Sequence, residues 1–261
     1  MAVITETSRR EERVMGAVEL DGLSWPEVKA EIEAGRDTVV MALGAFEQHG
    51  PALPLETDVL LGDHLAWAIA DRLDAFVAPT VRIGCSRHHL GFPGTLSLSD
   101  ETFAGVVGDV VSSLAGGGFR RVVLLPSHGG NFAPLAAAIK KIGDTVDGLR
   151  VTALTDPAPL FSPAQVGADE FGVPLREGGI HSGEWETSMI MAIRPELVHL
   201  ERAEAGYTGD PDEAFRRIFN DGTASLSKIG VVGDPRRASA EHGKRYWEAV
   251  IEATLEAIGE R

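Results

Sequence analysis

Short apolar runs alternate along this chain with segments of helical periodicity, and this alternation limits the possible folds more than any other feature. The predicted strands are residues 38–43, 75–81, 121–125 and 149–154. The predicted helices are residues 24–34, 59–73, 100–115 and 133–146. Strands and helices that alternate in this way form β-α-β units. We therefore predict an α/β fold, a three-layer α/β/α sandwich with a mainly parallel sheet.

Two later segments, residues 156–180 and 203–230, interrupt this alternation. The first is rich in proline, glycine and aspartate, and the second has no clear period, so both are predicted to be long irregular loops. Loops of this length are uncommon in compact domains and are often functional, so we expect both to shape specificity. Helices are predicted again at residues 184–193 and 238–258.

The chain has 261 residues, enough for one large domain or two small ones. Residues 1–15 are polar and charged, and we expect a disordered or frayed tail there. The rest of the chain contains neither an internal repeat nor a recognisable linker. Residues 16–261 are therefore predicted to form a single α/β domain.

The composition excludes some partners and indicates a compartment. The chain carries 39 acidic and 24 basic residues, for a formal net charge of −15, so we expect neither nucleic acid nor an anionic membrane as a partner. Cys85 is the only cysteine, which rules out an intrachain disulfide and fits a reducing compartment. The N-terminal residues do not resemble a signal peptide, and no apolar stretch reaches the roughly 18 residues of a membrane span. We expect a cytoplasmic protein.

Polar side chains follow two of the predicted strands. Glu47 and His49 come after the first strand and lie two residues apart, so on an extended segment they point the same way. The proline-broken stretch behind them predicts a loop that brings Asp58 back onto this pair. His128 comes just after the strand at residues 121–125. Because the carboxyl ends of parallel strands meet at one edge of a sheet, these side chains should converge.

A second group of polar residues surrounds the start of the helix predicted at residues 184–193. His181 lies between glycines, and Glu184 and Glu186 fall in the first helical turn. The helix dipole alone could explain one carboxylate at this place. Two carboxylates within three residues, beside a histidine, indicate a site role for at least one of them. Carboxylate and imidazole ligands together suit Zn²⁺, Mn²⁺ or Fe²⁺, so convergence of these stretches predicts a two-metal hydrolase.

Five motifs, in the right order, give the chain a resemblance to the creatininase family from about residue 23 to residue 258. They are Gly-Ala-Phe-Glu-Gln-His-Gly-Pro at residues 44–51, Phe-Pro-Gly-Thr-Leu-Ser-Leu at 92–98, His-Gly-Gly-Asn at 128–131, His181 with Glu-Thr-Ser at 186–188, and Gly-Asp-Pro at 233–235. The resemblance implies a three-layer α/β subunit, usually in a homo-hexamer. It also implies a binuclear metal centre that hydrolyses C–N bonds of amides, often cyclic or formyl amides.

The resemblance also implies a ligand set for two divalent ions per subunit, with zinc, manganese or iron as the metals. By similarity, Glu47, Asp58 and His128 would hold one ion. His49, the shared Asp58 and one further carboxylate would hold the other. The substrate implied is a small-molecule amide.

The chain departs from creatininase itself at two positions. Creatininase has a glutamate ligand where this chain has Gly130, and many relatives have a glutamate where it has Arg87. The missing ligand would come from Glu186 or Glu184, and Glu186 is preferred because it belongs to the shared Glu-Thr-Ser motif. Both departures argue against creatinine as the substrate. The His-Gly-Gly-Asn form resembles two other branches, the peptidase of mycofactocin maturation and the formamide hydrolase of flavin and deazaflavin biosynthesis.

A mechanism follows from the expected pair of ions. Two cations about 3.5 Å apart can share a water and lower its pKa towards neutrality, so a metal-bridging hydroxide would attack the amide carbonyl. His181 is predicted to protonate the leaving nitrogen as a general acid, and Glu184 to shuttle the proton. The residues predicted to contact the substrate are Phe92, Gly129, Gly130 and Trp185.

Three alternatives remain open at the level of the sequence. One is a peptidase of this fold that acts on a small peptide in cofactor maturation. Another is a metal-binding subunit without catalysis, which the glycine at position 130 makes conceivable. The third is a cysteine hydrolase built on Cys85 with the nearby His88 and His89. A buried structural cysteine is far commoner, so we favour the metal-dependent reading.

Overall fold

The computed structural model describes residues 15–260, and nearly all of the predicted N-terminal tail lies outside this range. The strands are β1 Val18–Glu19, β2 Thr38–Leu43, β3 Phe76–Val77, β4 Arg121–Pro126, β5 Thr145–Val146 and β6 Leu149–Ala153. They form one six-stranded sheet in the order β1-β3-β2-β4-β6-β5. Every pair is parallel except β5 and β6, so the sheet is mainly parallel as predicted.

Helices follow or precede each of the longer strands. They are α1 Trp25–Glu33, α2 Thr57–Leu73, α3 Asp100–Gly116, α4 Phe132–Ile142, α5 Ala158–Phe171, α6 Leu175–Gly178, α7 Glu184–Ile193, α8 Pro211–Asp221, α9 Thr223–Leu226 and α10 Ala240–Ala257. Within the described residues, none of them combines the length and the apolar character needed to cross a membrane.

Both faces of the sheet are covered, because successive strand residues point to opposite sides. On one side Val40 and Ala42 of β2 join a buried core with residues of α2, α7 and α10. On the other side Val39, Met41 and Leu43 join a second core with residues of α3 and α4. The two cores make the three-layer α/β/α sandwich that the sequence predicts.

The helix predicted at residues 133–146 is shorter than expected. It ends at Ile142 because Gly143 takes a positive φ of 90°. Asp147 and Gly148 then adopt φ values of 47° and 87°, as a tight hairpin turn requires. The turn joins β5 to β6 in the one antiparallel pair of the sheet.

The prediction of irregular loops at residues 156–180 and 203–230 is wrong. The first segment contains α5 and α6, and the second contains α8 and α9. Proline misled the composition argument for the first segment, since Pro159 lies in the first turn of α5, where its missing N–H costs nothing. In the second segment, Pro211 occupies the first turn of α8. Asp210 caps the same helix by accepting a hydrogen bond from the backbone N of Glu213 at 2.8 Å.

Candidate metal centre

Side chains from four separate stretches converge beyond the carboxyl ends of β2 and β4. Glu47 and His49 follow β2, and His128 follows β4, as predicted. Asp58 is the second residue of α2 and lies in a helical turn, where the sequence predicts a loop. Glu186 reaches the same place from the first turn of α7. All of these side chains are buried.

Hydrogen bonds between the Asn131 side chain and backbone groups hold part of the loops that carry these residues. The side-chain amide of Asn131 donates to the carbonyls of Leu43 and Gly44 at 2.9 and 3.0 Å, and its oxygen accepts from Cys85 N at 2.9 Å. The absence of a side chain at Gly44 allows α2 to approach, since a Cβ there would lie 3.2 Å from Asp58 O. The asparagine of the His-Gly-Gly-Asn motif thus ties the end of β2 to the segment around residue 85.

The distances divide the cluster into two halves that share Asp58. In one half, His128 Nδ1 lies 3.4 Å from Asp58 Oδ2, and His128 Nε2 lies 3.4 Å from Glu47 Oε2. In the other, His49 Nε2 lies 3.5 Å from Asp58 Oδ1 and 3.9 Å from Glu186 Oε1. Each oxygen of Asp58 therefore faces a different histidine. Its carboxylate has the arrangement of a bridging ligand.

The donor atoms of this cluster fit divalent metal ions. Both carboxylate oxygens of Glu47, His49 Nε2 and Asp58 Oδ2 are buried without a hydrogen-bond partner. Buried polar atoms are nearly always satisfied, so several such atoms facing one another fit the binding of a cation. Two ligands of one tetrahedral ion lie about 3.4 Å apart, close to the distances of Asp58 from His128 Nδ1 and from His49 Nε2. The three residues His49, Asp58 and Glu186 offer atoms within 4.8 Å of one another.

Three histidines of the cluster each have one ring nitrogen near a backbone carbonyl. His49 Nδ1 lies 3.1 Å from Glu47 O, His128 Nε2 lies 3.3 Å from Cys85 O, and His181 Nε2 lies 2.8 Å from Gln48 O. A nitrogen that donates to such a carbonyl leaves the other nitrogen with a lone pair. Metal-binding histidines are commonly oriented in this way.

Burial and mutual attraction shift the pKa values of the acidic groups in opposite directions. Burial raises the pKa of Glu47 to about 7 and that of Glu186 to about 7. Burial acts the same way on Asp58, but His49 and His128 outweigh it and hold the pKa of Asp58 well below its ordinary value. Asp58 thus keeps its negative charge at neutral pH, as a shared ligand must.

The pKa values of the histidines are also shifted in opposite directions. Burial lowers the pKa of each, but Asp58 raises the pKa of His49 to about 10 and Glu47 raises that of His128 to about 9. For His181 burial prevails, with His49 adding to it, and the pKa lies well below its usual value. Protons and metal ions compete for such nitrogens, so the two raised values mark where positive charge is most stabilised.

The structure places Glu184 away from the cluster. Its carboxylate accepts hydrogen bonds from Ser188 Oγ and Tyr246 Oη, each at 2.8 Å, and lies 2.7 Å from His242 Nδ1. Residues two apart on a helix point to different sides, so Glu184 and Glu186 cannot both face the metals. The geometry gives Glu184 a structural role between α7 and α10, in place of the predicted proton shuttle.

The predicted substrate residues have different locations. Gly129, Gly130 and Trp185 line a cavity of about 40 Å³ at the cluster, together with Glu47 and others. Trp185 is only 2% exposed and donates to Gly179 O at 3.0 Å, so it is mainly a core residue. Phe92 does not line this cavity, nor does it line a second, larger cavity that adjoins it.

Sequence reasoning missed three polar residues of the site. His89 Nε2 lies 3.3 Å from Glu47 Oε1, and His89 Nδ1 lies 2.9 Å from the amide nitrogen of Gln48. His88 lines the cavity and offers a ligand atom close to those of Glu47 and His128. The adjacent pair His88 and His89 could have indicated this part of the site, but from the sequence it was considered only as a partner for the Cys85 thiol.

The geometry does not favour a cysteine nucleophile. Cys85 is buried, and burial together with the Asp100 carboxylate raises the pKa of its thiol to about 12. The contact of His128 with Cys85 is to the backbone oxygen, not to the sulfur. A thiol in this state lacks the thiolate character that nucleophilic catalysis needs.

Comparisons with known proteins agree with this fold and site. A family model for creatininase, described as creatinine amidohydrolase, matches residues 21–258. The mycofactocin precursor peptide peptidase of Mycolicibacterium smegmatis is 30% identical over 228 residues, covering 84% of this chain and 83% of that protein. The creatinine amidohydrolase of Pseudomonas putida is 30% identical over 257 residues, covering 91% and 95%.

A solved structure described as the manganese form of creatininase has the same fold. It matches with a TM-score of 0.79 at 28% identity and covers 94% of this chain and 98% of that one. The predicted resemblance is therefore confirmed along almost the whole described chain. The protein belongs to the creatininase family, whose matched relatives include hydrolases that act on C–N bonds.

Proposed function

We propose that this protein hydrolyses a C–N bond of a small-molecule amide with two divalent metal ions. One ion would bind Glu47, Asp58 and His128, and the other would bind His49, Asp58 and Glu186. The observation that carries the proposal is the group of buried ligand atoms without hydrogen-bond partners, which lie on both sides of Asp58.

Glu186 takes the place of the glutamate that creatininase has where this chain has Gly130. A Cβ on Gly130 would overlap the backbone oxygen of Cys85 and the imidazole of His128, so the local backbone excludes any side chain. Glu186 Oε1 faces His49, and Ser182 N donates to its other oxygen. These contacts support Glu186 as the remaining ligand.

The mixed oxygen and nitrogen donor set supports zinc, manganese or iron as the metals. A related creatininase structure is described as a manganese form, which makes manganese a good first choice for loading the protein. Such a pair of ions supplies an activated water nucleophile and a Lewis acid for the carbonyl oxygen.

His181 is the residue best placed to move a proton. Its Nε2 lies 2.8 Å from the Gln48 carbonyl, and its Nδ1 faces the cluster, 3.7 Å from Glu47 Oε1. The side-chain amide nitrogen of Gln48 also lies 2.8 Å from Nε2, so Gln48 engages this nitrogen and leaves Nδ1 to exchange a proton with the attacking water and the leaving nitrogen. A Cβ at Gly129 would meet nothing within 4 Å, so open space lies beside the backbone where the substrate would approach.

The proposal is tested by measuring amide hydrolysis by the protein loaded with Mn²⁺ or Zn²⁺, detected as the ring-opened product for a cyclic amide and as a released amine for an open-chain one. The substrates would be creatinine, N-formyl amines and short peptides, with His181→Ala as the variant. We expect metal-dependent hydrolysis of at least one class, and a His181→Ala protein that keeps its metal and loses turnover. No hydrolysis of any class by the metal-loaded protein would instead favour a metal-binding subunit without catalysis.

A peptidase that acts on a small peptide in cofactor maturation is the second candidate. It is favoured by the 30% identity to the mycofactocin precursor peptide peptidase over 84% of this chain. The peptide arm of the same assay distinguishes it, because such an enzyme should release a short peptide or an amino acid and leave creatinine intact.

Assembly and location complete the proposal. By resemblance to its family we propose a homo-oligomer, with a hexamer as the expected form, and from the composition a cytoplasmic enzyme. Light scattering on the purified protein gives the number of subunits directly.

A further inference from the structure

A second and larger cavity adjoins the metal-binding cluster. Its volume is about 440 Å³, against about 40 Å³ for the space at the cluster. His88, Gly129 and Gly130 line both spaces. A molecule held at the cluster can therefore extend into this second space, which we call the side cavity.

The side cavity is lined mainly by apolar side chains from three helices and the segment before α5. They are Phe132 and Pro134 of α4, Pro157 and Phe161 around α5, and Phe215 and Phe219 of α8. Aromatic walls of this kind bind flat or branched apolar groups, with few polar contacts.

The side cavity offers no unpaired charge to a ligand. Among the described residues that line it, Arg87 and Asp100 are the ones with a formal charge at neutral pH, and Arg87 Nη1 donates to Asp100 Oδ1 at 2.9 Å. The pair carries no net charge and its side chains are 66% and 49% exposed, so the remaining walls of the cavity favour an uncharged group.

The aromatic residues of α8 remain accessible. Phe215 is 49% exposed and Phe219 is 37% exposed, although they lie with ring centroids 4.7 Å apart. Phe219 also stands 4.6 Å from the ring of His88, at the boundary between the side cavity and the cluster. Exposed aromatic rings beside a cavity commonly mark a binding surface, because a bound apolar group removes them from water.

We propose that the side cavity binds a large, uncharged apolar group of the substrate, aromatic or branched aliphatic, adjacent to the scissile amide. The proposal rests on the proposed metal centre, which holds the amide, and adds the class of group attached to it. A cavity of about 440 Å³ is within the usual range for small-molecule sites and far larger than a simple cyclic amide needs.

Two hydroxamates test this proposal without requiring turnover. Acetohydroxamate and 3-phenylpropionohydroxamate chelate metals through the same group and differ mainly in a phenyl ring. We expect the phenyl compound to bind the Mn²⁺-loaded protein at least about tenfold more tightly, because its ring enters an apolar cavity. Isothermal calorimetry measures both affinities.

A matched pair of variants locates the effect. Ala136 and Ala137 are both exposed on α4, but Ala136 lines the side cavity and Ala137 does not. Ala136→Trp should fill the cavity and remove most of the preference for the phenyl compound, whereas Ala137→Trp should keep it. Phe219→Ala, which removes a wall, should reduce the preference severalfold and serves as a second variant should Ala136→Trp fail to fold.

Each outcome decides the proposal. Equal affinities for the two hydroxamates in the unmodified protein would overturn it, as would an undiminished preference in both folded cavity variants. Failure of both compounds to bind the metal-loaded protein would instead show that the bound metal has no open position for a chelating group, which contradicts the proposed catalytic centre, so the two failures are distinguishable.

Discussion

The metal-binding cluster and the side cavity adjoin each other but are built from different parts of the fold. The ligands of the cluster come from strand ends and helix starts, where backbone contacts such as those of Asn131 hold each loop. The walls of the side cavity come mainly from side chains on α4, α5 and α8. This fold can therefore keep its metal ligands fixed while substitutions on the helices alter which group fits beside them.

This comparison predicts that variants of the two regions separate into two classes. Changes in the cluster should alter metal content and activity together, because the side chains that bind the metal ions also determine hydrolysis. Changes in the side cavity should alter the choice of ligand and leave the metal content unchanged. A folded side-cavity variant that loses metal would contradict this separation.

The largest effect is expected for Asp58→Asn. The amide cannot bridge two cations as a carboxylate does, so metal content should fall and kcat/KM should drop by roughly 100-fold or more. Elemental analysis and an amide hydrolysis assay measure both quantities. Asp63→Asn, at an exposed position of the same helix, is the matched control and should keep both. Full metal occupancy in Asp58→Asn would refute the shared-ligand assignment.

Glu186→Gln and Glu184→Gln compare two faces of one helix. Glu186→Gln should lose one ion of the pair, because the remaining ligands His49 and Asp58 bind it weakly, and activity should fall about tenfold or more. Glu184→Gln should retain both ions, since its partners are Ser188, Tyr246 and His242. Metal loss in Glu184→Gln with none in Glu186→Gln would reverse our assignment.

For the side cavity we expect a smaller and more selective effect from Phe215→Ala. Loss of one aromatic wall should weaken binding of 3-phenylpropionohydroxamate by about three- to tenfold, with little change for acetohydroxamate. Metal content measured on the same sample should equal that of the unmodified protein. Equal weakening for both hydroxamates would argue for a general disturbance of the site.

Two adjacent glycines lie where the regions meet, and they should respond differently to alanine. A Cβ at Gly130 would overlap Cys85 O and His128, whereas a Cβ at Gly129 meets nothing within 4 Å. Gly130→Ala should therefore cost about 1–3 kcal/mol of stability, seen as a lower Tm. Gly129→Ala should change the Tm little, and similar losses in both variants would contradict the packing described.

The smallest effect is expected at Cys85. Because the pKa of its thiol is raised to about 12, the thiolate forms only as the pH rises far above neutrality, and alkylation by iodoacetamide should be very slow at pH 7.5. Cys85→Ala should leave turnover within about twofold, because no step uses the sulfur. Complete loss of turnover in a folded, metal-loaded variant would revive the thiol mechanism.

The sequence predicted the sheet and most of the cluster because both follow from local signals. Apolar runs marked the strands, and polar residues directly after them marked Glu47, His49 and His128. Asp58 was assigned to a loop because proline precedes it, although α2 begins one residue before it. Glu186 was preferred to Glu184 because it belongs to the Glu-Thr-Ser motif, and the structure adds that the two side chains point to different sides of α7.

Other parts of the molecule could not be predicted because long-range contacts determine them. His88 and His89 lie in a short 3₁₀ helix, Arg87–His89, and their approach to Glu47 depends on contacts with the end of β2 and the residue before α4. Helices α5 and α8 were missed because composition hid capping signals such as Asp210. These helices form much of the side cavity, so its existence could not be inferred from the chain alone.

The proposed two-metal centre can be observed in a crystal structure of the Mn²⁺-loaded protein, with anomalous scattering collected near the manganese edge. We predict two anomalous peaks that share Asp58, one beside Glu47 and His128 and the other beside His49 and Glu186. A single peak, or two peaks that are not both within coordination distance of the Asp58 carboxylate, would contradict the two-metal centre.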